Sequence, residues 1–458
     1  MATSQPLATR AGLRAFERGG NAVDAAVAAA AVLCVTEPMS TGIGGDAFAL
    51  LWSGGDVVGL DAAGPAPRGA DPEVPVAELG PTSVTVPGAV AGWAALVEEH
   101  GSLDLDSLLA DAIAAAEEGF AVGAVTAADW VDAAAPPELG PPQAVGARVR
   151  LPELGATLRR IADEGPDALY RGEVAHAIAS STWLEEEDLA AYEPRWVEPL
   201  ALAYRGVTVH ELGPPTQGVA ALEGLGLLAL GEPTFAAQVE CVRLALEDAL
   251  VRVRDGADVG ALLEPGALAR RRSQTAHPVA GPGGGTVYLC TADRRGAVSF
   301  IQSLYGGFGS GVVAPGTGVV LQNRGACFAV GGRVEPGLRP YHTLIPGLLT
   351  LDGGLRGVFG VMGGFLQAQA HVQLVSALVD GGLDPQAALD RPRFRVEGEH
   401  VLLEEGLWER AGELDGLGLN PVPSGDRSRF GGGQAILVEG DGLVGGSDGR
   451  KDGYAAGF

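Results

Sequence analysis

Lysine is all but missing from this chain: Lys451 is the only one among 458 residues, and arginine carries the remaining positive charge. With so much alanine and glycine, that bias reflects a GC-rich genome rather than the chemistry of a site. Positive charge of either kind is scarce, 31 Lys and Arg against 57 Asp and Glu, for a net charge of -26. So acidic a chain repels phosphate backbones and anionic lipid surfaces, and neither nucleic acid nor a membrane is expected as a partner. The acidic residues are spread along the chain rather than gathered in a tail, as a solvated surface requires. Cysteine is sparse too. Cys34, Cys241, Cys290 and Cys327 stand far apart with no CxxC pair, which argues against structural zinc and a thioredoxin-type site and leaves buried thiols. No basic segment followed by an apolar one opens the sequence, and Asp24 and Glu37 bracket the longest apolar run below the roughly 20 residues a spanning helix needs. The expected compartment is the cytoplasm.

Several catalytic signatures are missing as well. Without GxxxxGK[ST] the glycine-rich loops have no lysine for phosphates. There is no HExxH, and the seven histidines are scattered, so a helical zinc site has no support. "GFGSGV" misses the GxSxG pattern because Phe308 stands in the first glycine's place. No metal and no organic cofactor is expected.

What is present describes an ordinary globular protein, 47% hydrophobic and 19% charged. Leu7 to Arg18 reads as a helix stopped by Gly19-Gly20, and Asn21 can cap the next, "NAVDAAVAAAAVLCV", whose apolar surface predicts burial on every side. "MSTGIGGDAFALLW" and "VVGLDAAGP" read as a glycine turn and a hairpin. Helices are expected over "SLDLDSLLADAIAAAEEGF", Pro152 to Glu164 and Gln238 to Arg254, with a proline-rich surface loop at Asp132 to Gly146. From Thr286 the texture turns to strands: "TVYLCTA" and "AVSFIQSLY" flank the turn "DRRG". "GVVAPGTGVVLQN", "HTLIPGLLTLDGG" and "RGVFGVMGG" are expected to continue the sheet, with "QAQAHVQLVSALVDGG" a helix behind it. This mixture predicts an α+β layered fold whose organisation changes at Gly285/Thr286.

Thr286 follows the glycine cluster "GPGGG" and opens a strand. A threonine there is most simply structural, because β-branched residues favour strands. Its hydroxyl becomes a useful nucleophile only beside a base, and its own α-amine is one if the preceding peptide bond is cut. A free α-amine has a pKa of about 7.7–8.0, so a useful fraction is neutral near pH 7. The glycines at 283 to 285 would permit the backbone geometry needed for attack on the preceding carbonyl.

Blocks along nearly the whole chain, in order, resemble the γ-glutamyltransferase family of N-terminal-nucleophile hydrolases. "QPLATRAGLRAFERGGNAVDAAVAAAAVLCVTEPMSTGIGGDAF", "VTVPGAVAGWAALVEEHG" and "GPPTQGVAALEGL" are similar to its large-subunit motifs. "FGSGVVAPGTGVVLQNRG", "RPYHTLIP", "GVMGGFLQAQAHVQ", "ALDRPRFR" and "GGSDGRKDGYAAG" are similar to those of its small subunit, the acylase-like branch most of all. The resemblance implies a four-layer αββα sandwich, made as a precursor that cleaves itself between Gly285 and Thr286. Region 1–285 would then be large-subunit-like and region 286–458 small-subunit-like, the fragments staying associated and possibly pairing as a homodimer. By the same resemblance Thr286 is the nucleophile, Ser303 its hydrogen-bonding hydroxyl, and Gly363 and Gly364 the oxyanion hole. Tyr305, Arg324, His342 and Thr343 are the implied substrate-binding positions.

Two departures stand out. Where γ-glutamyl-specific members carry an arginine for the donor's α-carboxylate, this chain has Ala63, with Arg68 nearby, and Cys327 stands where an acidic partner for the α-amino group is expected. Few residues separate Cys327 from "RPYHT", so the family's lid loop is short or missing and the cleft open. The leading expectation is therefore an autoprocessed amidohydrolase or acyltransferase, acting on an amide-linked acyl donor that need not be γ-glutamyl. The runner-up acts on glutathione-like γ-glutamyl donors through Arg68 or Arg324. A third reading, an unprocessed and non-catalytic relative, is also open.

Overall fold

The computed structural model describes all residues except 134, 280, 282 and 283, so Gly283 lies outside the described residues. Two sheets dominate. The first contains β1 (Ala2–Thr3), β2 (Asp46–Ser53), β3 (Asp56–Ala62), β4 (Arg195–Val197), β7 (Gly285–Ala292), β8 (Gly296–Tyr305) and β13 (Tyr454–Ala455), in the order β13-β1-β7-β8-β2-β3-β4. The second contains β5 (Leu200–Tyr204), β6 (Val207–Glu211), β9 (Gly347–Leu351), β10 (Gly354–Met362), β11 (Gly432–Glu439) and β12 (Gly442–Ser447), in the order β12-β11-β10-β9-β6-β5.

Three apolar layers follow from strand alternation, which sends successive side chains to opposite faces. Between the sheets lie Phe48, Leu50, Tyr288, Ile301, Leu348, Val358 and Ile436. On the outer face of the first sheet, Val287, Leu289 and Phe300 meet α1 (Pro6–Glu17), α2 (Ala22–Thr36) and α3 (Leu105–Glu118). On the outer face of the second, Val209, Phe359 and Val361 meet α4 (Gly218–Ala229), α5 (Phe235–Arg252) and α6 (Leu366–Val379). Helix, sheet, sheet, helix is the four-layer sandwich that the family resemblance implies.

α2 is buried at every one of its residues. Asn21 caps it by accepting from Val23 and Asp24, and Asp24 answers by accepting from the Asn21 amide. A related device starts α5: Thr234 accepts from Ala237, so the helix begins at Phe235 rather than at the expected Gln238. The stretch Gly311 to Asn323 does not continue a main sheet. It forms a separate two-stranded ribbon, Val313–Ala314 with Val319–Val320, because Gly316 and Gly318 adopt positive φ and reverse the chain at once.

Candidate active site

Alternation places Thr286 on the same face of β7 as Tyr288 and Cys290, at the margin of the inter-sheet core. Ser303 of β8 faces the same way as Ile301, and it lies opposite Asp46 in β2. The register between β7 and β8 slips after Gln302 and resumes at Tyr305 opposite Gly285. This bulge gives Tyr305 a φ of +78° and directs Ser303 at the strand junction. Thr286 Oγ1 donates to Ser303 Oγ at 3.3 Å, and Ser303 Oγ donates to the Gly285 carbonyl at 2.5 Å while accepting from Tyr305 N at 2.7 Å. One serine hydroxyl therefore touches both the threonine hydroxyl and the carbonyl that precedes it.

The glycines before Thr286 act through space rather than through unusual dihedral angles, since neither Gly284 nor Gly285 has a positive φ. A Cβ on Gly284 would lie 2.9 Å from Tyr305 O and 3.6 Å from Gly364 Cα, and one on Gly285 would lie 3.2 Å from Met39 O. Gly363 and Gly364, with φ of +133° and +61°, make the turn from β10 into α6 that a side chain would resist. Among the described residues neither glycine donates its N–H to another protein atom outside helix and strand. Gln217 fixes the turn by donating from Nε2 to Gly364 O at 3.2 Å and to Thr343 O at 2.8 Å, and Tyr341 Oη donates to Gln217 Oε1.

Beyond Thr343 lies Arg324, which is wholly buried. Its Nη1 donates to Thr343 Oγ1 at 3.2 Å, its guanidinium stacks 4.3 Å from the Tyr305 ring centre, and its Nε and Nη2 have no hydrogen-bond partner. Asp46 is 4.0 Å from Arg324 Nε and 2.9 Å from His342 Nε2. Burial pushes Asp46 up to about 7, while Arg324, Gln322 and the Gly64 amide pull it back toward ionisation. Burial and the neighbouring guanidiniums of Arg324 and Arg339 hold His342 well below its usual range, so its imidazole is neutral. Its Nδ1 is left without a partner.

Thr286, Ser303, Tyr305, Arg324, Thr343 and Gly364 thus join one chain of contacts. Thr286 touches Ser303, Tyr305 stacks on Arg324, Arg324 meets Thr343, and Gln217 links Thr343 to Gly364. His342 enters through Asp46 rather than by reaching the threonine. It also sits in an isolated bridge to Thr216 and not in a strand. Arg68 is exposed, its amide donating to Asp188, and takes no part in these contacts. Three participants escaped sequence reasoning: Asp46, Gln217 and Arg339. The signals were there, since "GGDAF", "PPTQG" and "RPYHT" each carry a polar residue within an apolar or glycine setting. Arg339 is the notable case. Its Nε donates to the carbonyl of Ala63 at 2.8 Å and lies 3.5 Å from Asp61, so a guanidinium reaches the Ala63 position from another part of the chain.

The chain is similar to known sequences and structures along most of its length. The sequence profile described as Gamma-glutamyltranspeptidase matches residues 8–458. The chain is 34% identical to an oxamate amidohydrolase proenzyme of Klebsiella pneumoniae, covering 99% of this chain and 97% of that one. It is 31% identical to a glutathione hydrolase-like proenzyme of Bacillus subtilis, again over 99% and 97%. Among solved structures, a cephalosporin acylase from Bacillus halodurans superimposes with a TM-score of 0.92 at 40% identity, covering 99% of this chain and 95% of that one.

Proposed function

Because this chain belongs to the gamma-glutamyltranspeptidase family, we propose that it is a self-processed N-terminal threonine amidohydrolase that also transfers its acyl group to competing amines. The observation that carries this reading is the shared partner: Ser303 Oγ touches both Thr286 Oγ1 and the Gly285 carbonyl oxygen. In the intact chain, Thr286 Oγ would attack the Gly285 carbonyl, the C–N bond would break to leave an ester, and water would hydrolyse it. The freed α-amine of Thr286 then serves as base. It takes the hydroxyl proton as Oγ attacks a substrate amide carbonyl, and gives a proton to the departing amine. Water next cleaves the acyl–threonine ester. The amides of Gly363 and Gly364 would serve the oxyanion, a role in which losing one donor costs about 10²–10³ in rate.

The acyl group would face Tyr305, Arg324, His342 and Thr343. Buried guanidinium N–H groups without partners favour a short acyl group ending in a carboxylate, since an unmatched buried charge is costly. The names of the relatives, an oxamate amidohydrolase and an acylase, support donors of this amide-acid or acyl-amide type. γ-Glutamyl donors form the second reading, favoured by the guanidinium of Arg339 at Ala63. That group is already bonded to the Ala63 carbonyl and paired with Asp61, which ranks this reading lower.

Intact-mass analysis tests the proposal. Wild-type protein is expected as two fragments divided at Gly285/Thr286, and Thr286→Ala as one unbroken chain without activity on a panel of acyl anilides that includes the γ-glutamyl compound. A fully active wild-type protein that remains uncut would reject it.

A further inference from the structure

A second space adjoins the oxyanion glycines. It is a cleft of about 600 Å3 whose lining includes Gly284 and Gly363 on one side and Arg395, Glu397, His400 and Arg429 on the other. None of Tyr305, Arg324, His342 or Thr343 lines it, so it is separate from the buried residues assigned to the acyl group. His400 is exposed, which opens the cleft to solvent, whereas Arg324 is wholly buried.

The charges of the cleft wall do not balance. Arg395 is only 8% exposed and lies 2.7 Å from Glu397 Oε1, and its Nη1 donates to Arg429 O at 3.1 Å. Arg429 Nη2 donates to the other oxygen, Glu397 Oε2, at 2.5 Å. Two guanidiniums share one carboxylate, and His400 stands beside them. Glu397 spaces the two arginines, and one positive charge is left over at the edge of a catalytic turn. In a chain of net charge -26, that surplus is a local exception. Burying an arginine side chain carries a desolvation cost that an arriving anion recovers.

Acyl transfer imposes an order on the two spaces. The amine must leave before water can reach the ester, so the amine side needs the open route and the acyl side the closed one. We propose that the Arg395–Arg429 cleft is the leaving-amine subsite, and that it selects amides whose amine portion bears a carboxylate. The inference rests on the amidohydrolase reading above for the direction of the substrate, but the anion preference of the cleft can be measured without turnover.

The test has two arms. In the first, the acyl group hydrolysed fastest in the anilide panel is coupled to aniline and to 3-aminobenzoate, and kcat/KM is compared. The carboxylate compound is expected to be preferred by about tenfold or more, the scale of one charge-assisted contact, and that ratio should fall toward 1 in Arg395→Met and in the less buried Arg429→Met. A ratio near 1 in the wild type, or one that both substitutions leave intact, overturns the proposal. In the second arm, calorimetry compares binding of 3-aminobenzoate and aniline to uncleaved Thr286→Ala. Tighter binding of the aminobenzoate, lost with Arg429→Met, supports the anion site even if no anilide is turned over and the amidohydrolase reading fails. Equal binding of the two probes overturns it whatever the activity.

Discussion

At the scale of single residues, the site concentrates buried polar groups whose charges are only partly matched. Asp46 is the clearest case. Its carboxyl is wholly buried against His342, Gln322 and Arg324, and its pKa is raised to about 7 in the folded protein. An unfolded aspartate titrates near 3.9, so between about pH 4 and pH 7 the folded state holds a proton that the unfolded state has released. The Asp46 contribution to stability is therefore complete below about pH 4 and is lost as pH rises through 7. Glu37, raised to about 7, and Asp61, raised to about 6, act with the same sign. Asp46→Asn, which cannot titrate, should show a shallower fall in stability from pH 4 to pH 7.5 than the wild type. Each pKa unit removed is worth about 1.4 kcal/mol over that interval. Urea-denaturation midpoints at several pH values measure this, and parallel profiles for the two proteins would mean that Asp46 ionises normally.

At the scale of elements, α2 holds the first sheet at close range because its side chains are small. Ala29 is fully buried within it, and the helix packs on β7 and β8, which carry Thr286 and Ser303. Ala29→Leu should destabilise the protein by about 1–3 kcal/mol, the usual cost of forcing extra methylenes into a filled core. An unchanged urea midpoint would show that the layer has slack. Burial of this helix was legible from its unbroken apolar run, and so were the β7–β8 hairpin and the turn after β10, each marked by local residue chemistry. The ribbon at Val313–Val320 was not legible, because short β-branched runs look alike whether they join a large sheet or pair with each other. Among the candidate site residues, Thr286, Ser303, Gly363 and Gly364 were named through ordered motifs. Asp46 and Gln217 were not, because their part depends on contacts across 296 and 147 positions of chain, to His342 and Gly364. Arg339 was missed for the related reason that its guanidinium reaches the Ala63 carbonyl across 276 positions of chain.

At the scale of the molecule, the proposed scissile bond lies where cutting it separates very little. Strands from before Gly285 and after Thr286 pair with one another in both sheets: β1 lies between β13 and β7, β2 pairs with β8, and β6 pairs with β9. Pulling the fragments apart would break these ladders and expose the cores on both faces of each sheet, since each core draws residues from both regions. Apolar burial of that extent contributes roughly 25 cal/mol per Å2, far more than the entropy gained when one peptide bond is cut. The processed protein should therefore elute in size-exclusion chromatography as one species containing both fragments in equal amounts. It should divide into its parts only in denaturant, and then together with loss of helix signal in circular dichroism. Fragments that separate in native buffer would show that the strands bridging Gly285/Thr286 do not hold the sandwich closed. The α-amine of Thr286 would then lack the fixed surroundings that its role as a base demands.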